Sequence, residues 1–263
     1  MLGKLLKYDL KDIYKVLVIF YIIAILFAVI TRMLFSIDNS VIFSILGSIT
    51  SGVLISMFFS IVINNLMRAW VRFTKNLYGD ESYLTHTLPV SKRCIYLAKF
   101  MAVITTMLTS ILVIILCMFI AYYSKANMEV LKKLLEGMAL MYDSTVIKML
   151  LVVFFVFFLE MVFAALCGYT GIILGHRCNN GRMGKSVLFG IMYYMLFQCF
   201  TLLMVFIMGL FNKDIMRLFT SNEITNVSVI KNIMYVGIII YGLYIVINYV
   251  INIKLFEKGV NVD

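Results

Sequence analysis

The chain has 263 residues, 63% of them hydrophobic and 14% charged, with a net charge of +10 and a mean hydropathy of +1.02. A water-soluble domain carries about 25% charged residues, so a soluble fold is excluded. The basic excess calls for no nucleic-acid partner, because lysines and arginines that flank membrane spans are drawn to an anionic inner leaflet.

Before the first apolar run, MLGKLLKYDLKDIYK sets Leu2, Leu6, Leu10 and Ile13 on one helical face, with the lysines, Asp9 and Asp12 largely elsewhere. This is the pattern of an interfacial helix lying along the inner membrane surface. The run that follows is of transmembrane length and no small-residue cleavage site comes after it, so it reads as a retained first span rather than a signal peptide. Six such stretches recur, at residues 16–35, 41–67, 100–122, 147–171, 187–211 and 233–253. They predict an all-α membrane protein with six transmembrane helices in a single domain, residues 1–263. An even number of spans puts both termini on one side. With that side inside, the inner segments hold fifteen of the 23 lysines and arginines, which predicts cytoplasmic termini in the cell membrane.

In the second span, Ser44, Ser48, Gly52, Ser56 and Ser60 recur every four residues and form a nearly axial ridge of small side chains. Such a ridge serves helix packing, within or between subunits, or lines a weakly polar path. The next segment, Arg68 to Lys99, is the longest inner loop and contains Pro89, the only proline. Gly79 can end the second helix and Asp80 can cap a short helix through Ser82 and His86. Leu88 before Pro89 should be extended, and Ser91 can cap the helix leading into the third span.

On the outer side, Ser124 to Tyr142 carries Met128, Leu131, Leu135, Met138 and Tyr142 as an amphipathic stripe, with Glu129–Lys133 and Lys132–Glu136 spaced for ion pairs. An amphipathic helix on the outer leaflet is expected. In the fourth span, Glu160 stands at mid-membrane depth, where a charged carboxylate facing lipid costs about 2.5–3.5 kcal/mol. It should face protein or water or be protonated, with Gln198 of the fifth span at similar depth as a hydrogen-bond partner. An interhelical bond, a cavity-lining role and proton coupling all fit. Ala164, Gly168, Gly171 and Gly175 add a looser small-residue ridge.

Asn179 to Ser186, NNGRMGKS, resembles a phosphate-binding G-x-x-x-x-G-K-[ST] loop but lacks its first glycine and joins two spans instead of a strand and a helix. The long outer loop, Asn212 to Asn232, predicts only short helical turns. Five dispersed cysteines and two distant histidines imply no disulfide or metal site, and H-E-x-x-H and G-x-S-x-G are absent. No catalytic residue or directly bound cofactor is expected.

Asp80 to Lys99, DESYLTHTLPVSKRCIYLAK, resembles the cytoplasmic loop of type-2 ABC exporter permeases, which commonly carry an acidic residue, then Y-L-T-x-T-L-P-V-S and basic residues. The basic amphipathic N-terminus and the six spans resemble that family in architecture. The resemblance implies a coupling helix at which Asp80, Glu81, Tyr83, Leu84, His86 and Pro89 meet a separate ATPase subunit that binds ATP and Mg. It also implies a second permease subunit, identical or a sister chain. From depth and spacing alone, Glu160, Gln198, Ser48, Gly52 and Ser56 are the candidate pathway or interhelical polar residues. The expected function is export of an amphipathic peptide or other hydrophobic substrate. The alternative is a membrane-bound peptide-immunity or sensor protein that does not transport, and a secondary transporter ranks third.

Overall fold

In the computed structural model, which describes residues 2–37, 41–141, 144–178, 180–220 and 228–258, every regular element among the described residues is a helix. In chain order these are α1 (Leu2–Phe35), α2 (Val41–Leu77), α3 (Ser82–Thr87), α4 (Lys92–Tyr122), α5 (Lys125–Met141), α6 (Val146–Gly175), α7 (Arg182–Phe211), α8 (Lys213–Thr220) and α9 (Ser228–Glu257). Six of them, α1, α2, α4, α6, α7 and α9, are long and apolar enough to cross a membrane. The chain is a multi-pass helical membrane protein. Large apolar side chains such as Ile22, Ile42, Ile55, Leu188, Leu203 and Val246 are exposed on these helices, a surface that suits lipid and not water.

The helices outrun their apolar stretches. At a rise of about 1.5 Å per residue, the 34 residues of α1 and the 37 of α2 extend about 50 and 55 Å, against a hydrocarbon layer of about 30 Å. The expected interfacial helix is not a separate element. α1 runs unbroken from Leu2 because neither glycine nor proline occurs between Lys4 and Phe35 to stop it. In the same way α2 continues ten residues past its apolar run, until the chain nears Gly79.

Contacts divide the chain into two compact units, one reaching to Val130 and the other starting at Leu131. In unit 1, α1 packs against both α2 and α4, and α2 also packs against α3 and α4. The buried residues of α1 are Asp9, Ile13, Leu17, Tyr21, Ala24, Ala28 and Thr31, a stripe with steps of three and four. Ile13, Leu17, Tyr21 and Ala24 form one core with Leu54 and Ile61 of α2 and Ala102 and Cys117 of α4. Three polar side chains at that core are linked across helices. Asn65 Nδ2 donates to Ser110 Oγ (2.7 Å), whose oxygen also lies 2.7 Å from the Tyr21 hydroxyl.

In unit 2, α6 packs against α7 and α9, and α8 folds back on α7. The crossing of α6 and α7 is glycine-made. A Cβ on Gly171 would lie 2.5 Å from the backbone of Ser186 and Gly190, and one on Gly175 would collide with Ser186. The looser of the two small-residue ridges is therefore the one that lets two backbones meet within the chain. On α8, Met216 approaches Gly209 and Phe219 meets Phe206 edge to face at 5.6 Å.

The amphipathic helix expected near the middle of the chain is α5, with Met128, Leu131 and Met138 exposed and Lys132 paired to Glu136 at 3.8 Å. Tyr142, Asn179 and residues 221–227 of the loop between Asn212 and Asn232 lie outside the described residues.

Candidate functional site

The loop between α2 and α4 is built by local chemistry. α2 ends where Tyr78 and Gly79 both donate their backbone N–H to Thr74 O (2.9 and 3.0 Å). The six-residue α3 follows. Leu88 is then extended (φ −63°, ψ 138°), which the following Pro89 requires. Ser91 accepts from Cys94 N at 3.4 Å and caps α4. One expectation fails here. Asp80 does not cap α3: Glu81 occupies the N-cap position in a helical conformation, and no side chain caps that end. The Glu81 carboxylate is engaged elsewhere, since Arg72 Nη1 donates to its Oε2 at 2.8 Å and Asn76 Nδ2 at 3.2 Å, with Lys75 Nζ 3.5 Å from Oε1.

The six residues expected to meet a partner thus divide into two sets. Asp80, Tyr83, Leu84 and Pro89 are exposed, Tyr83 at 75% and Leu84 at 67%. Glu81 and His86 turn inward, His86 Nε2 donating to Leu77 O at 3.2 Å. Ser82 and Thr85 are buried beneath the exposed pair. α3 therefore presents an aromatic and an aliphatic side chain outward from a base fixed by hydrogen bonds and charge.

Periodicity does not reveal what holds that base. Arg72 donates through Nε to Asp9 Oδ1 (3.1 Å) on α1, while its Nη1 holds Glu81. Lys99, near the start of α4, donates to the same Asp9 oxygen at 2.5 Å. Asp12 lies 3.7 Å from Arg72 Nε. The network joins α1, α2, α4 and the α3 base at one end of unit 1. Burial alone would push the Glu81 carboxyl up. The Asn76 hydrogen bond and the charges of Arg72 and Lys75 outweigh it and hold the carboxyl below its ordinary value. The sequence does carry a signal for Asp9: it sits four residues before Ile13, on the buried stripe of α1.

Unit 2 holds a second polar cluster. Glu160, half-buried on α6, accepts at Oε1 from the Tyr194 hydroxyl (2.9 Å) and from Gln198 Nε2 (3.4 Å), both on α7. The Tyr241 hydroxyl of α9 lies 3.3 Å from Gln198 Nε2. Phe163, one turn along α6 from Glu160, is fully buried, with ring centroids of Phe197, Tyr244, Tyr241 and Tyr194 at 5.4, 5.5, 5.8 and 6.0 Å.

The other ridge faces outward. Ser48, Gly52 and Ser56 are exposed along α2, a Cβ on Gly52 would meet nothing within 4 Å, and the hydroxyls of Ser48 and Ser56 bond backwards to Ser44 O and Val53 O. Packing within unit 1 does not use it. Gly184, Lys185 and Ser186 lie in the first turns of α7, reached from α6 through a short loop in which Gly181 is left-handed (φ 65°). Ser186 Oγ donates to Arg182 O at 2.8 Å and its backbone packs on Gly175, so the hydroxyl is committed to the helix pair. Among the described residues no group of three or more histidines, cysteines or carboxylates could hold a metal ion. Compared with known proteins, the chain matches no family model, no curated protein and no solved structure.

Proposed function

We propose that the chain is the membrane-spanning subunit of an ABC exporter, moving an amphipathic peptide or other hydrophobic substrate with ATP hydrolysed, with Mg, by a separate subunit. The observation that carries this reading is the exposed Tyr83–Leu84 pair on a short helix whose base is tied through Arg72 and Glu81 to α1 and α4. Large apolar side chains presented on a rigid polar base form the kind of anchor on which a partner protein docks. The ties give any movement of that partner a direct route into three long helices of unit 1. The lysine and arginine bias supports a cytoplasmic position for this end and for both termini, in the cell membrane. The exposed Ser48, Gly52 and Ser56 ridge supports close packing of a second permease subunit along α2, or a weakly polar lining between the two.

The test is affinity purification of C-terminally tagged chain from its native host in mild detergent. An ATP-hydrolysing subunit is expected to accompany the wild type, and to be lost with Tyr83→Ala combined with Leu84→Ala while the membrane level of the chain is unchanged. Recovery of the wild-type chain with no ATP-binding protein rules the reading out. In that case, saturable binding of an antimicrobial peptide would favour immunity or sensing without transport.

A further inference from the structure

The carboxylate on α6 differs from the one on α1 in what surrounds it, and from that difference we infer that Glu160 and its aromatic neighbours bind an organic cation carried on an apolar body. Asp9 has two cations within hydrogen-bonding distance. Glu160 has none among the described residues; its closest donors, Tyr194 and Gln198, are a phenol and an amide, and both bond to Oε1. The residue is the fifteenth of the thirty in α6, with about 21 Å of helix on either side, so it lies at the middle of a span. A carboxylate at that depth is stable in company with a positive charge.

The neighbours narrow the choice of cation. Phe163, Tyr194, Phe197, Tyr241 and Tyr244 cluster beside it, contributed by all three long helices of the unit. Aromatic faces attract cations, most strongly where water is excluded. A compact, strongly hydrated ammonium loses too much hydration to enter such a place, whereas a quaternary ammonium, guanidinium or phosphonium is weakly hydrated and brings its own apolar surface. Tyr194 and Gln198 hold the carboxyl in one orientation, and half-burial leaves it open to a ligand arriving from the side of the helix. As a statement of what the permease carries, this rests on the function proposed above; the binding itself does not.

The experiment uses the full-length chain in nanodiscs of neutral lipid, with no ATPase present, dialysed against labelled tetraphenylphosphonium, with empty discs as the blank. Saturable binding is expected, weakened at least about tenfold by Glu160→Gln and about two- to fivefold by Phe197→Leu. Triphenylphosphine oxide, similar in shape and uncharged, should not compete. Glu160→Gln keeps the shape and the acceptor for Tyr194, and an unchanged unfolding midpoint separates lost binding from lost fold; Glu160→Asp should recover part of the affinity. Unsaturable uptake, or equal binding by wild type and Glu160→Gln, overturns the inference. So does a carboxylic-acid C=O infrared band at neutral pH that vanishes in Glu160→Gln, because a protonated Glu160 needs no cation. Probe binding without a co-purified ATPase removes the permease reading alone, and a co-purified ATPase without probe binding removes this inference alone.

Discussion

Lys99 Nζ sits 2.5 Å from Asp9 Oδ1, joining residues 90 positions apart, and each side chain is only 4% exposed. A pair this buried is sensitive to loss of one member, because the survivor is left in a buried site without its counter-charge. Breaking such a pair costs about 3–5 kcal/mol, whereas replacing both members with apolar residues of similar size is often close to neutral. Asp9→Ala, which leaves both Lys99 and Arg72 without their shared acceptor, is expected to destabilise unit 1 by that amount. Asp9→Leu combined with Lys99→Met is expected to recover most of it. Unfolding of the purified protein in detergent gives both values, and a double variant as unstable as the single one would show that the charges are not what matters.

The hold on α3 has its own pH signature. Glu81 titrates below its ordinary value in the folded chain, so its attachment to Arg72 and Asn76 is complete above the unperturbed glutamate range and is lost as pH falls through the lowered value. Amide exchange over residues 82–87, corrected for intrinsic chemistry, is expected to be flat from pH 8 to about 5 and to rise below about pH 4. Arg72→Met and Glu81→Gln should bring the fast exchange to neutral pH, by about tenfold for each 1.4 kcal/mol of lost tethering. Slow exchange at pH 7 in both variants would mean that α3 is held by its buried Ser82 and Thr85 alone.

Two glycines of equal helical propensity should respond in opposite ways to the same change. Gly171→Ala puts a methyl 2.5 Å from the backbone of Ser186 and Gly190, so α6 and α7 must separate along their crossing, at a cost of about 1–3 kcal/mol or more. Gly52→Ala meets nothing within 4 Å and is expected to be neutral or to stabilise the isolated protomer by up to about 1 kcal/mol. If Gly52→Ala leaves the monomer stable yet abolishes its self-association, the exposed ridge on α2 is a subunit contact. Crosslinking in membranes reads that out.

The six spans are legible because a bilayer demands about 20 consecutive apolar residues and leaves few other ways to place them. Their ends are not, since α2 and α4 continue past the apolar runs to Gly79 and to the capping Ser91, and α1 is already helical at Leu2. Asp9 shows the limit of reading one helix at a time. By charge it belongs on the solvent face; by its spacing from Ile13 it belongs on the buried one. Its partners, 63 and 90 positions away, decide the matter. In the short helix, Glu81 and His86 cannot be told from Tyr83 and Leu84 by pattern, because six residues contain less than two turns. At Glu160 the sequence offers Gln198 at similar depth but not Tyr194, whose hydroxyl makes the shorter of the two bonds.

The long reach of Asp9 also sets an order of events during synthesis. The ribosome delivers the carboxylate first, Arg72 next and Lys99 last, so Asp9 waits 63 residues for the first of its two folded-state partners and 90 for the second. Only when the first turns of α4 emerge can that end of the unit close. A chain that ends before residue 99 can form the Asp9–Arg72 pair between α1 and α2 but lacks the Lys99 contact that brings in α4.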